Sequence, residues 1–144
     1  MNIVMSPAIR NAITGGHLAH MVTINSDGSP QVACVWVGID GDEIVSGHLF
    51  EQKKIRNLRR DPRIAISMEP GGGSPDGLPY HFVLHGHARV VEGGCPELLQ
   101  RLALVYLGPG VKWPPMDNPP PGFVIRTSVD RVVGYGPWAT EQAA

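Results

Sequence analysis

The sequence has no excess of charge of either sign. Its 144 residues carry 12 Lys and Arg against 13 Asp and Glu, which leaves a formal net charge of -1 at pH 7. Proteins that hold nucleic acid or an anionic membrane over a broad surface normally carry a strong positive balance. The composition therefore predicts no nucleic-acid partner and no membrane partner, and any basic site must be local.

Long apolar runs are also missing. No stretch reaches the roughly 18 consecutive apolar residues that a membrane-spanning helix needs. The first residues, Met1 to Arg10, lack a charged segment followed by an apolar run, which is the pattern of a secretory signal. We therefore expect a cytoplasmic protein.

Cysteine is scarce, and no metal-binding pattern is present. Cys34 lies in an apolar run, Cys95 follows a glycine, and no Cys-x-x-Cys spacing occurs. His85 and His87 would share one face of a strand, but no third Cys, His or carboxylate stands close to them in sequence. We expect no metal site.

The signatures of hydrolases and nucleotide triphosphatases are absent as well. No serine stands in a nucleophile-elbow context, and no phosphate-binding Gly-x-x-x-x-Gly-Lys-Ser/Thr motif occurs. Asp27-Gly28 and Asp40-Gly41 are typical of turns rather than of catalytic carboxylates.

Glycine and proline are abundant, with 18 and 14 residues, and they separate short apolar, β-branched runs. This pattern predicts one mainly β domain over residues 1–144. The six predicted strands are Leu18–Ile24, Gln31–Ile39, Glu43–His48, Ile64–Met68, Tyr80–Val91 and Phe123–Val133.

Short helices complete the predicted elements. One opens at Ser6-Pro7 and ends at Gly15-Gly16, a second covers Glu51–Arg60, and a third covers Pro96–Leu107. The loops at 71–79 and 108–122 are rich in Gly and Pro, and the second holds six prolines and Trp113. Long loops of this kind are usually functional or disordered.

A basic segment, Gln52–Arg63, carries the most chemical information, because six of its twelve residues are Lys or Arg. Ile55 and Leu58 are three residues apart and can face the core. The residues free to point at a ligand near the helix start are then Lys53, Lys54, Arg56 and Asn57. A helix N-terminus offers free N–H groups and a positive dipole end, so the segment predicts a phosphate site. A solvated basic face is the alternative, and contact with a nucleic-acid backbone is a more remote one.

The order of elements around this segment resembles the pyridoxamine 5'-phosphate oxidase-like family, whose fold is a six-stranded antiparallel split β-barrel that binds FMN. The match rests on a helix, a strand, an Asp-Gly turn, two more strands and a Lys-x-x-Asn-Leu-x-x-Asp-Pro helix. More narrowly, the run Arg56–Arg63 resembles the actinobacterial branch that uses a flavin or a deazaflavin, coenzyme F420. The resemblance extends over nearly the whole chain.

The resemblance implies a cofactor site in the groove between the subunits of a homodimer. Lys54, supported by Lys53, Arg56 and the Asn57 amide, would hold the cofactor phosphate. The residues that would contact the tricyclic ring are Val32, Ala33, Cys34, Val35 and Trp36. Ser46, Gly47 and His48 would lie by the ribityl chain. The partner subunit would contribute Trp113, Tyr135 and Trp138.

The resemblance also implies an oxidoreductase that transfers hydride between the cofactor and a small conjugated substrate, with coenzyme F420 favoured and FMN as the alternative. No catalytic side chain is assigned. True pyridoxamine phosphate oxidases add an arginine-rich C-terminal segment, whereas residues 135–144 contain no arginine. That departure argues against pyridoxamine phosphate as the substrate.

Several alternatives stay open at this stage. The chain could be a non-catalytic carrier or sensor of a flavin-like or haem-like ligand. His48 could be a hydrogen-bonded structural residue or a proton donor, and Trp36 could be barrel core. Arg59, Arg60 and Arg63 exceed what one phosphate needs. They would suit the polyanionic tail of the deazaflavin, or they would pair with Asp61 or lie in solvent.

Overall fold

A computed structural model describes residues 3–138 as a mainly β fold with three short helices. The helices are α1 (Pro7–Ile13), α2 (Lys53–Arg60) and α3 (Cys95–Tyr106). The strands are β1 (Ala19–Ile24), β2 (Pro30–Val35), β3 (Gly38–Asp40), β4 (Glu43–His48), β5 (Arg63–Met68), β6 (His81–Glu92) and β7 (Phe123–Tyr135). None of these helices is long and apolar enough to cross a membrane.

All seven strands form one antiparallel sheet in the order β2-β1-β5-β6-β7-β4-β3. The two ends of the sheet, β2 and β3, are consecutive in sequence and are joined by Trp36 and Val37 alone. A link of this length spans only about 10 Å. The sheet must therefore curl until its ends meet, although β2 and β3 do not pair. This open seam confirms the predicted split β-barrel.

The strand predicted at Gln31–Ile39 is two strands, so the predicted count of six was wrong by one. Val35 pairs with Ala19 on β1, whereas Gly38 pairs with Val45 on β4. Between them the Val37 N–H donates to the Tyr106 hydroxyl at 3.1 Å instead of to a strand neighbour. The chain changes its pairing partner at this point, because the same apolar run has to serve both ends of the sheet.

The main core fills the barrel, and a smaller core lies under α3. Phe82, Met21 and Ile125 are at most 1% exposed inside the barrel. Outside it, Leu98 and Leu102 of α3 pack on the sheet. Full burial of such side chains contributes roughly 1.5–3 kcal/mol each. Gly47 lets α3 approach, since a Cβ at that position would lie 3.3 Å from Cys95 Sγ and Leu99 Cγ. Helix α3 is thereby held against the end of β4.

Candidate functional site

A groove of about 480 Å³ opens at the seam of the barrel, and we call it the Trp36 groove. Seven of the candidate residues line it within one chain: Cys34, Val35, Trp36, Gly47, His48, Lys54 and Trp113. Trp113 was predicted to reach the site from the partner subunit, whereas here it lines the groove of its own chain. The seven residues come from β2, the β2–β3 link, β4, α2 and the loop at 108–122. The curl of the sheet brings these elements together, because β2 approaches the end of β4 only when the two ends of the sheet come near each other.

Lys54 supplies the positive charge of the groove. Its side chain is partly buried, and this burial lowers the pKa of its ammonium group. Lys54 Nζ donates to the neutral Gln52 Oε1 at 2.5 Å, and no Asp or Glu in residues 3–138 forms an ion pair with it. Gln52 is also the N-cap of α2, but its side chain makes no capping hydrogen bond. An anion beside Lys54 would therefore meet a desolvated cation and an uncapped helix start.

Five of the six basic residues in the segment form hydrogen bonds within the chain: besides Lys54, Arg56 Nη1 donates to the Glu51 carbonyl at 2.9 Å, and three arginines have further partners. Arg59 Nη1 lies 2.8 Å from Glu51 Oε1, and Arg63 Nη2 lies 2.7 Å from Asp61 Oδ2. Arg60 donates to the Ile24 carbonyl. The structure thus favours the intramolecular alternative for these arginines. Lys53 and Arg56 are exposed near the start of α2 but do not line the Trp36 groove.

Asn57 has a different place from the one predicted. The prediction put its amide on the cofactor phosphate, whereas the side chain is buried, with 2% of its surface exposed. Asn57 Nδ2 donates to Thr23 Oγ1 at 3.1 Å and to Asn25 Oδ1 at 2.9 Å, and its Oδ1 accepts from Arg60. Both polar atoms are thus engaged, and Asn57 fastens α2 to the β1–β2 hairpin.

Aromatic rings form one wall of the groove. Trp36 stacks on Tyr106 with 5.1 Å between ring centroids and 12° between planes, and Trp113 tilts against Trp36 at 5.6 Å. The Tyr106 hydroxyl donates to the His17 carbonyl at 2.8 Å, and this bond fixes the tyrosine ring on which Trp36 stacks. Trp36 is partly exposed, so it is a groove residue and not barrel core.

His48 is buried beside Lys54 at the end of β4, with 6% of its surface exposed. His48 Nε2 forms a hydrogen bond with Ser46 Oγ at 2.8 Å. Burial lowers the pKa of His48 to about 3, and the Lys54 charge contributes to the same direction. The imidazole is therefore neutral at physiological pH, which favours the structural alternative over a cationic proton donor.

The low pKa of His48 predicts a pH-dependent stability. The unfolded chain binds a proton on this histidine below about pH 6.5, whereas the folded chain does so only near pH 3. The free energy of unfolding is therefore not reduced by His48 above pH 6.5. Between pH 6.5 and pH 3 this histidine lowers it by about 1.4 kcal/mol for each unit that the pH falls. Urea unfolding of wild type and His48→Gln between pH 7.5 and pH 4 measures this. The free energy of unfolding should fall less steeply with decreasing pH in His48→Gln than in wild type. Equal slopes for the two proteins would contradict the low pKa of His48.

Other predicted residues lie apart from the groove. Ser46 contacts it only through His48, and Val32 and Ala33 are on β2 but not among the lining residues. Tyr135 is 40% exposed beside Tyr80, and Trp138 is 4% exposed against Phe82, with 5.0 Å between ring centroids. Trp138 belongs to the core of this chain, so it offers little surface to a cofactor.

Sequence reasoning missed four groove residues, Leu49, Phe50, Gln52 and Leu99. Phe50 had a usable signal, since it is an apolar residue directly between a strand and the basic segment, and it is 57% exposed. Leu99 had no signal in the sequence, because it belongs to the apolar face of α3 and cannot be distinguished there from a leucine of the core.

Several charged and polar groups outside the groove have partners within the chain. His87 Nδ1 lies 2.6 Å from Asp130 Oδ2, and no group of three or more His, Cys, Asp or Glu in the described ranges could hold a metal. A second cavity of about 380 Å³ lies between α3 and β7. Its Arg126 is paired with Asp40 and Glu43 at 2.8 Å each, and the other arginine that lines it, Arg101, is exposed.

Comparison with known proteins gives the same fold. None of the curated sequences compared with the chain matches it. A solved structure named F420 reductase is 22% identical over 89% of this chain and 98% of that one, with a TM-score of 0.70. A conserved hypothetical protein from Mycobacterium tuberculosis is 28% identical over 93% and 86%, with a TM-score of 0.70. An FMN-binding protein from Syntrophomonas wolfei is 11% identical over 88% and 83%, with a TM-score of 0.62.

The family model described as pyridoxamine 5'-phosphate oxidase matches residues 5–131, which is most of the chain. Its span runs from just before α1 into β7 and includes every residue that lines the Trp36 groove. This chain is therefore a member of the pyridoxamine 5'-phosphate oxidase family.

Proposed function

We propose that the Trp36 groove binds a phosphorylated flavin-type cofactor and that the protein is an oxidoreductase acting on a small conjugated molecule. The observation that carries the proposal is Lys54, a partly buried cation with no acidic partner in residues 3–138, placed beside an aromatic wall. A desolvated charge of this kind is stabilised by an anionic ligand.

The residues present fit such a cofactor. The groove volume of about 480 Å³ lies within the usual range for small-molecule sites. Trp36, Trp113 and Leu99 would contact a flat ring. Within residues 3–138, strand β2 ends the sheet and pairs only with β1, so its free backbone groups face the seam and can bond polar ring atoms. Lys54 and the start of α2 would hold the phosphate.

A flavin-type cofactor supplies hydride transfer when bound. The groove residues would orient the ring, and their apolar surfaces would exclude water from the substrate. Neutral His48 can accept or donate a hydrogen bond through its ring nitrogens, but it holds no extra proton to transfer at neutral pH. We therefore assign no role as catalytic acid to His48 or to another residue of the groove.

We favour coenzyme F420 over FMN. The named F420 reductase and the FMN-binding protein share the fold at low identity, so they support a flavin-type cofactor without distinguishing the two. Lys53 and Arg56 are exposed near the start of α2, close to Lys54 in sequence, and Arg56 donates to the Glu51 carbonyl, which leaves its positive charge without an acidic partner in the described part of the chain. The phosphodiester and oligoglutamate tail of the deazaflavin would meet these charges, whereas FMN ends at its phosphate.

Fluorescence titration with both cofactors tests this preference. F420 should bind more tightly than FMN at low salt, and its affinity should fall more steeply as salt rises. Exposed charges are screened over about 8 Å at physiological ionic strength, so a tail bound by Lys53 and Arg56 is salt-sensitive. Tighter binding of FMN, or equal salt dependence for the two cofactors, would move the assignment to an FMN protein.

The proposal includes a homodimer in which the groove lies at the subunit interface. Large apolar side chains remain exposed on β2 and β7, with Val32 at 58%, Val133 at 41% and Tyr135 at 40%. A subunit interface would cover exposed apolar side chains such as these. In this proposal Tyr135 of the second subunit would complete the site. Light scattering at micromolar concentration should give twice the 15.5 kDa chain mass, and a monomer would argue against a shared site.

A further inference from the structure

The loop at 108–122 is fixed to the fold at both ends. At its start the Gly108 N–H donates to the Ala103 carbonyl at 3.0 Å. At its end the Cys95 N–H donates to the Pro121 carbonyl at 3.0 Å, and the Gly93 N–H donates to the Gly122 carbonyl at 2.7 Å. The middle of the loop carries Trp113 and needs its own support if the indole is to hold one position.

Gln100 on α3 provides this support with both groups of its side-chain amide. Gln100 Nε2 donates to the Val111 carbonyl at 2.8 Å, and Gln100 Oε1 accepts from the Trp113 N–H at 2.9 Å. Across residues 3–138 no other hydrogen bond connects residues 111–113 to the remainder of the fold. The side chain is partly buried, so these two bonds are shielded from competing water.

The position of Trp113 determines the shape of the Trp36 groove. Its ring lies 5.6 Å from that of Trp36 and lines the groove together with it. A loop with free backbone at 111–113 would let the indole rotate away, and the groove would lose one wall.

We propose that Gln100 is a positioning residue that holds Trp113 against Trp36 and so sets the width of the groove for a flat ring. The inference rests on the proposed function for its ligand, and on the two hydrogen bonds for its mechanism. Only an amide offers a donor and an acceptor side by side here, because Glu lacks the donor and Leu lacks both.

Fluorine NMR of the full chain labelled with 5-fluorotryptophan tests the positional part without any cofactor. The three tryptophans give three signals, which Trp→Phe variants assign. Gln100→Leu should shift or broaden the Trp113 and Trp36 signals and leave Trp138, which lies against Phe82, unchanged. Gln100→Glu retains the acceptor for the Trp113 N–H and should restore the Trp113 signal in part. An unchanged Trp113 signal in Gln100→Leu would overturn the inference.

Titration with FMN and F420 tests the functional part. Gln100→Leu should weaken binding about three- to tenfold, the scale of one or two neutral hydrogen bonds, and Gln100→Glu should weaken it less. Leu104→Ala is the matched control, because Leu104 is 53% exposed one turn further along α3 and does not line the groove.

The two proposals fail separately. Wild-type protein that binds neither cofactor would overturn the proposed function, while a Trp113 signal displaced in Gln100→Leu would still establish the positioning role. Wild-type binding with unchanged affinity in Gln100→Leu would overturn the role of Gln100 in ligand binding and leave the proposed function standing.

Discussion

Replacing Lys54 by alanine is expected to weaken cofactor binding by roughly 10- to 100-fold, which corresponds to the 1.5–3 kcal/mol of a charge-assisted hydrogen bond. Lys54 is partly buried, and its ammonium donates to the neutral Gln52 amide oxygen. Exchanging this hydrogen bond for one to a phosphate would therefore cost little free energy. Fluorescence titration of wild type and Lys54→Ala with FMN and F420 measures the change.

Stability provides the internal control for this substitution. Removing a desolvated cation without an acidic partner should leave the free energy of unfolding unchanged or slightly raised. Arg63→Ala is the matched charge control, since Arg63 is exposed and paired with Asp61 outside the groove, and its affinity should stay within about twofold of wild type. An unchanged dissociation constant in Lys54→Ala would remove Lys54 from the phosphate site.

The second large effect is expected at Asn57. Asn57→Ala should lower the free energy of unfolding by about 2–4 kcal/mol, because the buried Thr23 hydroxyl and Asn25 Oδ1 lose their donor and a small cavity is left. Urea unfolding of wild type and variant measures the loss.

A double-mutant cycle identifies the source of the Asn57 effect. If the hydrogen bond to Thr23 contributes to stability, the losses in unfolding free energy of Asn57→Ala and Thr23→Val should sum to more than the loss in the double variant. Both substitutions remove the same 3.1 Å contact. Folded Asn57→Ala should bind cofactor nearly as well as wild type. A variant of wild-type stability with a large loss of affinity would restore the phosphate role predicted from the sequence.

Local patterns predicted most of the elements, whereas long-range partners decided where the predictions failed. Strand periodicity located β1, β4 and β5 because each buries alternate residues on one face, and it located β6 and β7 because alternate residues are buried over part of their length. The division between β2 and β3 could not be predicted, because it depends on which of two distant strands each segment joins.

In the candidate site, too, local sequence indicated some residues, whereas the roles of others depend on distant partners. The basic segment pointed to Lys54 through its position at a helix start. The role of Asn57 depends on Thr23 and Asn25, which are more than 30 residues away. The role of Arg59 likewise depends partly on Glu92, 33 residues further along. Trp113 and Trp138 both stand next to proline, yet one lines the groove and the other is core, a difference that only the folded chain determines.

The place of β7 in the sheet constrains the order in which the protein can be assembled during synthesis. β7 lies between β6 and β4, and Glu43 of β4 pairs with Ser128 of β7. Until β7 leaves the ribosome, no backbone hydrogen bonds join the strands β2-β1-β5-β6 to the pair β4-β3, and the contact between them is limited to side chains such as the Arg89–Glu43 pair. The Trp36 groove needs both groups, so it cannot form cotranslationally before about residue 123 has emerged. A nascent chain stalled earlier would carry a finished basic helix but no seam for it to face.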